Sequence, residues 1–240
     1  AHAPDALAQE LGQDDEPRFP ESLDEILESR TRLLTAYQDG RYADQYLEFV
    51  NDVRRRVEAL RLEGGEAFVK QVALTLARLM AYKDEYEVAR LYTDPLFMQR
   101  LRRQFSGNLR LKFHLAPPLL PGRDASGRPK KRAFGPWVLT LFRILRSMRG
   151  LRGTVFDPFG YTAERRMERR LIGDYRKLIQ SILDRLDQAN LPVAVELARA
   201  ASQIAGYGPV KEASVKAYES KLKELLQAFE AASARSSRAA

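Results

Sequence analysis

The sequence predicts a mostly α fold, an irregular multi-helix domain with a small antiparallel β-hairpin in its middle. Three observations carry this. Apolar residues recur at helical spacing over most of the chain. One short stretch, Leu109 to Leu115, alternates apolar and polar residues instead. No internal repeat of solenoid length is present, so neighbouring helices must pack as one irregular body.

Residues 1–21 carry Asp14, Asp15, Glu16, Pro17 and Pro20 with little periodicity, and form a linker or the tail of a preceding domain. Ser22 and Glu25 make a capping box, after which Leu23, Ile26, Leu27, Leu33, Leu34 and Tyr37 run at helical spacing to Gly40, a natural helix stop. A second helix begins near Tyr42, with Tyr46, Phe49, Val50, Val53, Val57 and Leu60 on one face, and fades at Gly64 and Gly65. Its Arg54, Arg55 and Arg56 form a solvated outer face.

A third helix is expected from about Glu66 to Tyr92, with a stripe of Val69, Val72, Leu76 and Leu79. The next stripe position is Lys83, where a buried charge would cost several kcal/mol unless a carboxylate or water met it. Lys83 is either a snorkelling lysine with Glu87 as its i,i+4 partner, or a polar subdomain contact or ligand anchor.

After Asp94-Pro95, Leu109, Leu111, Phe113 and Leu115 alternate with Arg110, Lys112 and His114. Pro117-Pro118 ends this strand, Gly122 to Pro129 is turn-rich, and Lys130 to Phe134 returns as its partner. His114 then shares the polar face with Arg110 and Lys112, as an ordinary surface or interface histidine. Pro136 opens a helix with Trp137, Leu141, Ile144, Leu145 and Met148 as its stripe. Thr162 is an N-cap, followed by the clearest amphipathic pattern in the chain, Met167, Leu171, Tyr175, Leu178, Ile182 and Leu186. Another helix runs from Asn190 to Gly206, and a last one from Val210 through Phe229. The resulting division is 22–230 as one helical domain and 231–240 as a frayed tail.

Composition narrows the chemistry. The chain has 240 residues, 45% of them hydrophobic and 30% charged, which suits a globular body with a real core. With no cysteine it has no disulfide, no thiolate nucleophile and no thiolate ligand for zinc or an iron–sulfur cluster. Its two histidines, His2 and His114, lie far apart and lack metal-ligand spacing. The N-terminal stretch is polar and acidic, unlike a signal peptide. The longest apolar run, Trp137 to Leu145, is interrupted by Arg143 and too short for a bilayer. A cytoplasmic location is expected. The net charge is +8, and between Asp94 and Asp157 the only acidic residue is Asp124, so the central third supplies the positive excess. There is no phosphate-binding loop, dinucleotide fingerprint, nucleophile elbow or Gly-Asp-Gly, and no carboxylate pair placed to separate two pKa values. No catalytic or metal-binding residue follows.

Several strings resemble the C-terminal region of fused indolepyruvate ferredoxin oxidoreductases: Leu79 to Tyr92 (LMAYKDEYEVARLY), Phe113 to Leu119 (FHLAPPL), Phe134 to Trp137 (FGPW), Leu151 to Thr154 (LRGT), Asp157 to Arg166 (DPFGYTAERR) and Gly208 to Ala213 (GPVKEA). The resemblance spans about Ser22 to Lys221. It implies a parent oxidoreductase that decarboxylates aryl 2-oxoacids to the acyl-CoA with thiamine diphosphate, Mg and [4Fe–4S] clusters, passing electrons to ferredoxin. Those cofactors would belong to upstream domains, leaving this chain as an accessory C-terminal domain without a complete catalytic site. The implied partners are the upstream domains, with CoA or ferredoxin as further contacts, in a homo-oligomeric, non-membrane parent. The candidate interface or anion contacts are Lys83, Tyr86, Arg90, Arg110, Lys112, His114, Lys130, Lys131, Arg132 and Arg165. The alternative function is a basic helical nucleic-acid-binding module, suggested by the basic hairpin with Phe113, Phe134 and Trp137 close by.

Overall fold

A computed structural model describes residues 22–105, 111–115, 122, 130 and 132–239. Among them are nine α-helices and one two-stranded antiparallel sheet, the class expected from the pattern. The chain divides into two compact units, a larger one made of Leu23–Lys83 and Arg149–Ala240, and a smaller one built on Asp84–Met148. No described helix is long and apolar enough to cross a membrane.

In the larger unit, α1 (Leu23–Tyr37) buries Leu23, Ile26, Leu27, Leu34 and Tyr37. Helix α2 (Gly40–Ala59) starts where Asp39 Oδ1 accepts the Tyr42 N–H at 2.8 Å. Gly40 therefore opens α2 and does not close α1: the Asp39 cap sets the boundary before glycine's flexibility is used. The hub is α3 (Gly65–Met80), which packs on α1, α2, α7 (Ala163–Leu183) and α8 (Leu191–Ala200). Its sequence accounts for this, because Phe68, Val69, Val72, Ala73, Leu76, Ala77 and Met80 are all buried and cover more than one stripe. Thr162 caps α7 by accepting the Arg165 N–H, as its position in the sequence predicts. Helix α9 (Pro209–Ala239) contributes Val215, Phe229 and Ala232 to the core and stays helical through 231–239.

The single helix expected over Glu66 to Tyr92 is two helices. Helix α3 ends at Met80, and α4 (Glu85–Tyr92) starts after Asp84, whose carboxylate accepts the Glu87 N–H at 2.8 Å. An Asp N-cap with Glu three residues on is a helix start, and it prevails over the continuous apolar period. Tyrosine hydroxyls stabilise the break: Tyr42 donates to the Met80 carbonyl and Tyr37 to the Tyr82 carbonyl, both at 3.0 Å. These bonds satisfy carbonyls that a continuing helix would have used.

In the smaller unit, Asp94 caps α5 (Pro95–Gln104), with Pro95 in the first turn. Strands β1 (Phe113–Leu115) and β2 (Arg132–Phe134) pair in the register Phe113↔Phe134, His114↔Ala133 and Leu115↔Arg132. Helix α6 (Val138–Ser147) packs on α4. A second core forms from Ala89, Phe113, Val138 and Phe142, with Tyr92 stacked on Phe142 at 5.5 Å between centroids and Phe113 edge-on to both. Of the stripe expected on α6, Leu145 packs against this core, but the rest of it does not line the core. Trp137, Leu141 and Ile144 are exposed, while Val138 and Phe142 point inward. Both sides of this helix are apolar, and the aromatic fit of Phe142 to Tyr92 and Phe113 selects the inner one.

Candidate functional site

The larger unit gathers buried charge around the first turns of α7. Arg165 and Glu168 are i and i+3 on α7 and so share a face. Glu168, whose side chain is only 2% exposed, accepts from Arg165 on one oxygen and from Lys211 of α9 on the other. The Arg165 guanidinium also stands 5.6 Å from the centroid of the Tyr82 ring. Glu164 Oε1 accepts the Gly208 N–H ahead of α9 at 3.3 Å, and Arg169 donates to the Gly160 carbonyl at 2.6 Å. In the loop before α7, buried Asp157 accepts the Gly153 and Phe159 N–H groups at 2.9 and 3.1 Å.

Next in sequence to this loop, Arg152 is buried against the C-terminus of α1. It donates to the Tyr37 carbonyl at 2.7 Å and lies 3.6 Å from the Tyr37 ring centroid, and Arg149 donates to the Gln38 carbonyl at 3.0 Å. Cations at a helix C-terminus complement its dipole. These two arginines, part of the basic excess in sequence, thus serve the α1 terminus.

Burial sets the one-sided electrostatics of the tyrosines on this scaffold. It raises Tyr218 to about 12, helped by Asp174 and Glu219, and raises Tyr46 and Tyr175 further. Their hydroxyls donate instead: Tyr46 to the Ala73 carbonyl at 3.2 Å and Tyr175 to the Ala198 carbonyl at 2.9 Å. None of them ionises near neutral pH.

The structure separates the candidate contacts. Arg165 enters the Glu168 cluster. Lys83 is half-buried in the break between α3 and α4 and belongs to no helix stripe. Its expected i,i+4 partner Glu87 instead receives a two-pronged pair of bonds from Arg90, at 2.7 and 2.8 Å. An intact helix through residue 83 was the premise of the Lys83–Glu87 pairing, and the Asp84 cap removes it. Tyr86 is buried on α4. Lys112, His114, Lys130 and Arg132 are exposed at the hairpin. Arg110 and Lys131 lie outside the described residues. Glu168, Arg152 and Lys211 are not among the contacts expected from the sequence. The i,i+3 spacing of Arg165 and Glu168 was available as a signal, whereas no local pattern brings Lys211 to them.

Among the described residues no group of three or more His, Asp or Glu side chains is placed to hold a metal ion. Two cations on one carboxylate brace helix ends. The fold and these clusters define a class: a two-unit helical domain organised by buried ion pairs and tyrosine–carbonyl bonds. Within that class the chain belongs to DUF6537, a family of unknown function whose model matches residues 23–224. No curated protein and no solved structure matches the chain.

Proposed function

We propose that this chain is an accessory C-terminal domain of a thiamine-diphosphate- and iron–sulfur-dependent indolepyruvate (aryl 2-oxoacid) ferredoxin oxidoreductase, acting in assembly, at an interface, or in contact with CoA or ferredoxin. One observation supports it above others. The strings that resemble that enzyme's C-terminal region carry residues that make structural contacts: Arg152 with Tyr37, Asp157 with its own loop, Glu164 with Gly208, Arg165 with Tyr82 and Lys211 with Glu168 in the larger unit, and Phe113 and Phe134, with Trp137 edge-on to Phe134, at the core of the smaller one. A chance likeness would scatter over surface positions as readily as over such contacts.

Under this reading the parent's thiamine diphosphate, Mg and clusters are held by its other domains, since this chain has no cysteine and no Gly-Asp-Gly. The parent would be a cytoplasmic homo-oligomer. The residues here supply braces and a basic surface, which suits partner steering better than bond-making. The experiment is indolepyruvate- and CoA-dependent reduction of ferredoxin by the parent protein, intact and cut before Ser22. Loss of turnover with cofactors retained supports an organising role. Unchanged turnover, assembly and ferredoxin kinetics would refute it.

A nucleic-acid-binding module is the second reading, favoured by the basic hairpin. Single-strand binding needs exposed aromatic faces. Phe113 is buried and Phe134 is half-buried with Trp137 edge-on at 5.9 Å, so the hairpin offers one such face. Salt-dependent RNA retention would favour this module over the accessory role.

A further inference from the structure

Helix α7 buries Leu171, Tyr175 and Ile179 and turns a basic face the other way. From Arg166 to Lys177 it carries five basic residues, Arg166, Arg169, Arg170, Arg176 and Lys177, against two acidic ones. Glu168 is buried between Arg165 and Lys211, and Asp174 stands 3.8 Å from Arg170. Arg166, Arg170, Gly173 and Lys177 follow at i, i+4, i+7 and i+11, a stripe about 16 Å long. Arg169 and Arg176 flank it, and both are half-buried.

These two flanking guanidiniums are desolvated without a carboxylate to meet them among the described residues. Arg169 Nη2 donates to the Gly160 carbonyl, while its Nη1 is buried with no hydrogen-bond partner. Arg176 Nε is likewise buried and unpartnered, and its Nη2 reaches only the Gln45 carbonyl at 3.4 Å and the Met80 sulfur at 3.7 Å. Burial pulls the Arg176 guanidinium below its ordinary pKa. A buried charged donor left unpaired is unfavourable, and an acceptor brought from outside removes that cost.

The Arg169–Gly160 bond ties this face to the loop 153–161, which is braced from within. Asp157 accepts two of its N–H groups, and the Tyr161 hydroxyl donates to the Val155 carbonyl at 2.7 Å. The braced loop nevertheless leaves Val155, Phe156 and Tyr161 76%, 77% and 65% exposed. Large apolar side chains held in water by a fixed backbone are a preformed anchor. Four Arg to one Lys, with Phe and Tyr alongside, is the composition that protein interfaces favour. Gly173 adds room in mid-stripe, since a Cβ there would meet nothing within 4 Å, and a second helix can come close. We propose that the α7 face and the 153–161 loop form one docking surface for an acidic helix of a protein partner, its carboxylates on the α7 cations and an apolar side chain on Phe156. Charge complementarity names the partner's sign, and the gap at Gly173 favours a helix over a phosphate chain, which needs the cations alone. The inference holds whatever reaction the parent protein performs.

The test is fluorescence anisotropy with the full chain and two labelled probes. One is a helical peptide of about 18 residues, long enough to cover the stripe, with Glu at i, i+4 spacing along one side and a Leu–Phe pair at each end. The other is a uridine oligonucleotide. The peptide should bind at low salt with a Kd of roughly 10–200 μM and weaken at least about tenfold when salt is raised to roughly 0.5 M. Arg166→Glu with Lys177→Glu should weaken it by about tenfold or more, and Phe156→Ser by about three- to tenfold. Gly173→Tyr fills the gap without meeting a neighbour and should weaken it by a similar about three- to tenfold. Lys223→Glu with Arg235→Glu, which makes the same charge change on α9, should leave binding unchanged, and far-UV dichroism verifies that every variant keeps its helices. No peptide binding at low salt, or binding that the face variants leave unmoved, would overturn the proposal. Tighter binding of the oligonucleotide, lost in the Arg166→Glu and Lys177→Glu variant but indifferent to Gly173→Tyr, would overturn it in favour of a polyphosphate chain.

Discussion

The Arg152 guanidinium lies 3.6 Å from the centroid of the Tyr37 ring while donating a 2.7 Å hydrogen bond to the Tyr37 carbonyl, joining two residues 115 positions apart. One side chain thus meets both the ring and the backbone of the last residue of α1. Stacking a planar cation on an aromatic face and donating to a carbonyl at a helix C-terminus are separate gains, and Arg supplies both in a single geometry. Arg152→Ala should lower the stability of the larger unit by about 2–4 kcal/mol, since a buried carbonyl loses a charged donor. In thermal unfolding this is a drop of roughly 5–15 °C. Arg152→Lys should recover less than half, because the ammonium keeps the charge but not the plane. Full rescue by Lys in a urea titration would show that charge alone matters there.

Glu168 is the acceptor for both Arg165 and Lys211 and is almost fully shielded from water. Removing one partner of a buried ion pair costs about 3–5 kcal/mol, because the remaining charges keep their desolvation penalty. Glu168→Gln should therefore destabilise the larger unit by that order, and Glu168→Met by at least as much. Replacing all three at once with Arg165→Met, Glu168→Met and Lys211→Met should cost less than Glu168→Met alone. If the triple variant is the least stable of the set, the cluster contributes through attraction and not mainly through mutual neutralisation.

Local signals carried much of this fold. Periodicity located α7 and its Thr162 cap, and alternation located the hairpin, down to Phe113 inward and His114 outward. Where the expectation failed, two local rules competed. The apolar period of α3 runs on past Met80, but the Asp84–Glu87 cap overrides it and moves Lys83 off any stripe. On α6 the sequence offers two apolar sides, and nothing in periodicity decides which one packs; the Tyr92–Phe113–Phe142 ring cluster does. The charge cluster was half legible. Arg165 and Glu168 are close in sequence, but Lys211 arrives from 43 residues away, a distance no local pattern encodes.

Two glycines should respond oppositely to the same substitution. Gly206 sits at φ +96°, and a Cβ there would stand 2.6 Å from Val210 Cγ1. Gly206→Ala combines a strained backbone with a collision at the start of α9, and should cost about 1–3 kcal/mol or more. Gly173 lies inside α7 with nothing within 4 Å of its added Cβ, so Gly173→Ala should raise stability by about 0.5–1 kcal/mol through helix propensity. Urea midpoints of the two variants decide it. A destabilised Gly173→Ala would mean that the α7 surface is covered in solution by something the chain itself does not describe.

Burial of tyrosine hydroxyls predicts a steep alkaline limit. A phenol with no folded environment ionises near pH 10. Tyr218 is raised to about 12 in the folded chain, and Tyr46 and Tyr175 higher, because burial disfavours the phenolate. Their folded values lie above the unfolded one, so the folded state holds more protons in this range. The stability they contribute is complete below pH 10 and is lost as pH rises through 10 toward 12, at about 1.4 kcal/mol per pH unit for each such group. Absorbance at 295 nm, which follows phenolate, should show the Tyr46, Tyr175 and Tyr218 phenolates appearing only together with loss of helical dichroism. Tyr175→Phe gives up the Ala198 hydrogen bond, about 1 kcal/mol at neutral pH, yet should flatten the decline above pH 10. If Tyr46 and Tyr175 ionise near pH 10 while the helices persist, their hydroxyls are reached by water without unfolding, and the packing of α2 and α7 on α3 and α8 is looser than the structure gives.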